Sequence, residues 1–229
     1  MSFVIIIIIL LAFMLILKFI YDYDLKKVKQ AVENKELDEL VKKYPSNKEI
    51  CKWYLKKLKN ENVKIEEDPK ATASLYIAIT NKIIIANISE NYARIQTLAH
   101  ECLHSIQSRK MLIFNFIFSN LYIAYFIIIC ILQILGLLPE KLMFLSIFLI
   151  LGLVYYCIRV YLENDAMNNA PYLAKEYMED IKISSQEQIN HIFEQYKKIT
   201  KIGVKCINYD FFLGIIAKAL IFSVLCFIL

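Results

Sequence analysis

The chain has 229 residues, 58% of them hydrophobic, with 27 Lys and Arg against 22 Asp and Glu for a net charge of +5. Its lysines are dispersed among acids, which argues against a nucleic-acid surface, and several apolar runs are too long for an ordinary soluble core. The four glycines are Gly136, Gly152, Gly203 and Gly214, so the first half cannot hold a Walker A loop, a Rossmann fingerprint or a G-x-S-x-G elbow. The six cysteines form no C-x-x-C pair, and three lie inside apolar runs, where they read as small buried hydrophobes.

Val4 to Leu17 is unbroken apolar sequence with no basic segment before it and no small-residue cleavage site after it. It therefore reads as an uncleaved anchor. Lys26, Lys27, Lys29 and Lys35 follow, and the positive-inside rule puts the N-terminus outside and the next segment in the cytosol. Leu25 to Val41 has helical periodicity, and Ser46 with Glu49 forms a capping box that opens a second helix reaching about Leu58. Val63 to Glu66 suits a short strand, and Leu75–Ile79 with Ile83–Asn87 suit a hairpin across Asn81-Lys82. Ser89 is the expected N-cap of a helix from Glu90 through Ser108.

Met111 to Leu138 and Leu142 to Leu162 predict a second and third span joined by a short external turn, and Phe211 to Leu229 a fourth that ends outside. Lys218 inside the fourth span must face other helices or water. Between them, 163–209 is polar and helical, with Pro171 suited to a first helical turn and Ser184 with Glu187 to a capping box. The expected division is an anchor at 1–20, a cytosolic catalytic segment at 21–110 and a transmembrane hairpin at 111–162. A cytosolic helical segment at 163–209 and a C-terminal transmembrane helix at 210–229 complete it. The fold class is a mainly α membrane protein with four transmembrane helices and a small cytosolic zincin-like α+β unit.

Residues 100–104 read H-E-x-x-H on the expected helix. His100 and His104, four apart, can turn their imidazoles to one metal ion, and Glu101, about 100° round the helix, stands beside it as a general base. The pattern would arise by chance in roughly one such chain in 600. Catalytic zinc usually takes three protein ligands and leaves one position open. Glu163, at the end of the third span, is brought to the same side by the hairpin of spans two and three. Asp165 is its nearest competitor, with His191, Glu176 and Glu187 further back. A lipid-facing helix would not tolerate the polar residues around the motif, among them Arg94, Gln96, Ser105, Gln107 and Arg109, which argues against an intramembrane protease of the site-2 type.

The order Asn81-Lys82-Ile83-Ile84, Tyr92, Ala99 to Gln107 (A-H-E-x-x-H-x-I-Q), two spans, then Glu163, Ala166 and Ala170 resembles the YugP-type family of membrane neutral zinc metallopeptidases. The resemblance covers most of the chain. It implies one catalytic Zn2+ held by His100, His104 and Glu163, with Glu101 as base, in an endopeptidase of peptides or proteins. It also implies a bacterial plasma membrane with the active site on the cytosolic side and the lipid bilayer as the other partner. Met167 stands where the related prenyl-protein and heat-shock proteases carry an aspartate, so the residue orienting the histidines is left to Asp165 or Asn168. His191 and Tyr172 are the candidates for stabilising the oxyanion. The alternative is a catalytically inactive or non-enzymatic zinc-binding membrane protein that acts through a binding partner.

Overall fold

The computed structural model describes residues 2–21, 33–88 and 90–229. Among them run α1 (Ser2–Tyr21), α2 (Lys35–Lys42), α3 (Asn47–Lys57), β1 (Lys64–Glu67), β2 (Leu75–Ile77), β3 (Lys82–Ile85), α4 (Arg94–Ile106), α5 (Arg109–Ile134), α6 (Lys141–Ile181) and α7 (Gln186–Ile228). The protein is mainly helical, as its sequence leads one to expect, with one small sheet. Helices α1, α5, α6 and α7 are each long and apolar enough to cross a membrane, which points to a membrane-associated protein. Contacts divide the chain into two units: α1 with Phe114–Tyr161 and Lys205–Leu229, and the described residues from 33 to 113 with Leu162–Val204.

In the first unit Tyr122 stacks on Phe148 and Tyr155, with ring centroids 5.0 and 5.1 Å apart. Ile129, Leu145, Phe222 and Ala219 are buried around them, whereas Ile8, Phe19, Leu121, Ile150 and Leu153 are exposed. Apolar side chains on the outside suit a bilayer in place of water. Gly152 permits close packing here, since a Cβ on it would lie 2.8 Å from Ile215 Cγ2. Helix α5 ends at Gly136, whose positive φ of 68° lets Gly136 N–H and Leu137 N–H reach back to Gln133 and Leu132 carbonyls. Lys218 donates to Gly214 O of its own helix at 3.1 Å and lies 5.9 Å from the Tyr122 ring of α5, so it faces a neighbouring helix.

The second unit is built on a three-stranded sheet of order β1-β3-β2, with β1 parallel and β2 antiparallel to β3. Ile83 and Ile85 of β3 point into the core with Ile95, Leu98, Ala99 and Cys102 of α4 and Ala170, Ala174, Tyr177 and Met178 of α6. The capping box at α3 forms as expected: Ser46 N–H donates to Glu49 Oε2 at 3.0 Å, and Ser46 Oγ accepts from Glu49 N–H. Asn81 takes the positive φ of 49° that the tight hairpin turn requires.

Several boundaries differ from the sequence reading: of the helix expected over Leu25 to Val41, 25–32 lie outside the described residues and α2 runs Lys35–Lys42, while α6 and α7 continue the third and fourth expected spans through the polar segment between them. Ser89, the expected cap, lies outside the described residues; α4 begins at Arg94, after a turn in which Asn91 Oδ1 accepts from Ala93 N–H at 2.7 Å. Pro171 sits inside α6 and does not open a helix. An interior proline costs about 3 kcal/mol, and the burial of Ala170, Leu173, Ala174, Tyr177 and Met178 on that helix offsets it. The cap before α7 falls one residue later than expected, with Ser185 and Gln188 exchanging hydrogen bonds of 3.0 and 3.3 Å.

Arg94 anchors the start of α4. Only 4% exposed, it donates to the carbonyls of Pro45, Val41 and Tyr44 and to Asn47 Oδ1, all at 2.9 Å. Its charge meets carbonyls at the C-terminal end of α2, where the helix dipole favours a cation. Arg94→Ala would strand those acceptors and should cost at least about 3 kcal/mol, read as a lowered thermal midpoint in detergent. Arg94→Lys should recover part of the loss, because an ammonium cannot reproduce the four-way fork.

Candidate metal centre

Helix α4 presents two stripes. Ile95, Leu98, Ala99 and Cys102 face the core, and the helical repeat then turns His100 and His104 toward α6. There the two Nε2 atoms lie 3.0 Å apart, and each is 3.5 Å from Glu163 Oε2. Two imidazole nitrogens that close either share one proton or aim both lone pairs at one centre. Donor atoms 2.0–2.1 Å from a tetrahedral ion stand about 3.3 Å from one another, and this triangle has that size. His100, His104 and Glu163 therefore form a group that could hold a metal ion.

Glu101 lies at the edge of this group, 6% exposed, with Oε1 4.0 Å from His100 Nε2. Its Oε2 accepts the backbone N–H of Tyr76, on β2, at 2.7 Å. Burial raises its pKa above the ordinary carboxylate value; the imidazoles and the Tyr76 N–H pull the other way without cancelling it. Burial lowers the pKa of His104, but the hydrogen bond and charge of Glu163 outweigh that, and the net shift is upward.

Gln107 stands on the other flank, its Oε1 2.8 Å from His104 Nδ1. Its Nε2 donates to Leu162 O and to Asp165 Oδ2, each at 2.8 Å. Asp165, the nearest rival of Glu163 in the sequence, is thus engaged by Gln107, and Asn168 is exposed. Glu176 pairs with Lys57 at 3.3 Å, and Glu187 and His191 are exposed. Tyr172 turns its ring to Phe193, about 13 Å of helix beyond Glu163. Tyr76 contributes through its backbone, which no side-chain pattern announces. Gln107 did leave a signal: it follows His104 by only three residues, close enough to reach its ring from the end of α4.

The chain matches no protein-family model, no curated protein and no solved structure.

Metal must displace a proton from His104, so affinity should be full above the raised pKa of that residue and fall as pH drops through it. Titrating zinc into the protein at several pH values should give about a tenfold loss per unit below that point. Glu163→Ala should lower bound zinc, measured by elemental analysis after dialysis; undiminished zinc would remove Glu163 from the site.

Proposed function

We propose that the protein is a membrane-bound zinc-dependent endopeptidase, similar in its motif order to the YugP-type neutral metallopeptidases. The observation that carries the proposal is the metal-sized triangle of two imidazole nitrogens and one carboxylate oxygen, with a second, buried carboxylate at its edge. Two neutral imidazoles and a carboxylate suit zinc, with one position left for water. The α+β unit carrying them, a small sheet against a motif-bearing helix, suits a zincin-like peptidase.

A zinc ion bound there supplies a water acidified to near neutrality and polarises the peptide carbonyl. The protein's own residues supply the rest. Glu101 takes the proton of the attacking water at Oε1, while the Tyr76 N–H holds Oε2 and fixes the plane of the carboxylate. As the C–N bond breaks, Glu101 returns that proton to the leaving nitrogen. The raised pKa of Glu101 suits this exchange, since a more basic carboxylate takes the proton more readily and still surrenders it to the far more basic leaving nitrogen. Strand β2 is an edge of the sheet, and an extended peptide laid along it would pass beside Glu101. Lysines 26, 27, 29 and 35 after the first span favour a cytosolic site.

Glu101→Gln keeps the shape of the side chain and removes the base. Peptide hydrolysis by the detergent-solubilised protein should fall by about 10²–10⁴-fold while zinc content stays at the wild-type level. Turnover retained by this variant would sink the assignment of Glu101. Wild-type protein that binds zinc and hydrolyses no peptide would favour a non-catalytic metal site.

A further inference from the structure

We infer that Gln107 is the positioning residue that holds His104 in its metal-binding tautomer, and that Leu162 and Asp165 dictate which way its amide faces. The inference deepens the proposed site and rests on His104 being a ligand there. Both amide hydrogens of Gln107 are committed, one to the Leu162 carbonyl and one to the Asp165 carboxylate, at 2.8 Å each. Both partners are acceptors, so the amide nitrogen belongs on their side and the amide oxygen is left facing His104 Nδ1 at 2.8 Å. That contact is a hydrogen bond only if Nδ1 carries the proton. A neutral imidazole protonated at Nδ1 has a bare Nε2, and Nε2 is the atom that closes the triangle with His100 and Glu163.

The reverse arrangement fails at three places at once. Turning the amide would set its oxygen against the Leu162 carbonyl and the Asp165 carboxylate. It would also set its NH2 against Nδ1 and drive the histidine proton onto Nε2, where it blocks ligation. The backbone explains why position 107 can do this. Gln107 is the first residue beyond α4, with extended φ and ψ of −64° and 159°, so its side chain is released from the helical track. Leu162 immediately precedes Glu163 on α6, so one turn of that helix supplies both a ligand and the carbonyl that sets the tautomer of another.

The chain's three histidines make the tautomer directly measurable. In full-length zinc-free protein carrying 15N-labelled histidine in detergent micelles, at a pH high enough that the His104 ring is neutral, His104 should show a protonated Nδ1 and a bare Nε2. Gln107→Leu, similar in size but without the amide, should show protonated Nε2, and its zinc affinity, by chelator competition, should weaken about 10- to 100-fold. A wild-type His104 protonated at Nε2 would overturn the inference, and that measurement decides the matter even if Gln107→Leu does not fold. A Gln107→Leu protein with unchanged tautomer and affinity would overturn it too. The expected tautomer in a wild-type protein that takes up no zinc would defeat the metal-site reading and leave the part played by Gln107 standing.

Discussion

Helix α4 has to serve a core and a polar site with one backbone. The core takes Ile95, Leu98, Ala99 and Cys102, a stripe at three- and four-residue spacing. Once those four are buried, the 3.6-residue repeat leaves no choice about where His100, Glu101 and His104 point, and Gln107 follows as the first residue beyond the helix. His100 and His104 meet Glu163 of α6, Glu101 meets β2, and Gln107 meets the Leu162 carbonyl. The site is therefore only as well placed as the packing behind the helix. Cys102, between the two histidines, shows the division of labour: it is fully buried, its thiol pushed well up by that burial, which suits packing and not chemistry.

The packing is braced at both ends of α4. Arg94 ties its first turn to the carbonyls around the end of α2, and Tyr54 donates to Ile95 O at 3.1 Å within the core. At the far end Asn60 Nδ2 donates to Ser105 O at 2.9 Å. Between these anchors Glu101 is kept as a buried carboxylate, an expensive group to hold away from water. One backbone N–H and two neighbouring imidazoles compensate it in part, and the uncompensated remainder appears as its raised pKa. A fold selected for stability alone would place an apolar residue there.

Much of this architecture was legible because its signals are local. The capping box at Ser46 and Glu49, the turn at Asn81 between two β-rich runs, and four apolar stretches each depend on neighbours within a few residues. The His100–His104 spacing is legible for the same reason: a helix converts sequence distance into direction. The passage of α6 through Pro171 was not legible, since it depends on Tyr177 and Met178 being buried by elements far away in the chain. Nor was the parallel pairing of β1 with β3, which a tight turn cannot make and which brings Lys64–Glu67 beside Lys82–Ile85 across the intervening chain.

The amino-acid sequence by itself determined that two imidazoles share a helix face with a carboxylate beside them, and that the chain carries four stretches of membrane-crossing length. Both follow from helical periodicity and from the length of apolar runs, which need no partner. Tertiary structure decided which carboxylate joins the imidazoles, because Glu163 and Asp165 are two residues apart and point to different sides of α6: one reaches the Nε2 atoms, the other reaches Gln107. It also decided the direction of the Gln107 amide and the backbone contact from Tyr76 to Glu101. These are hydrogen bonds between atoms 25 to 58 residues apart, and only the folded chain brings them within reach.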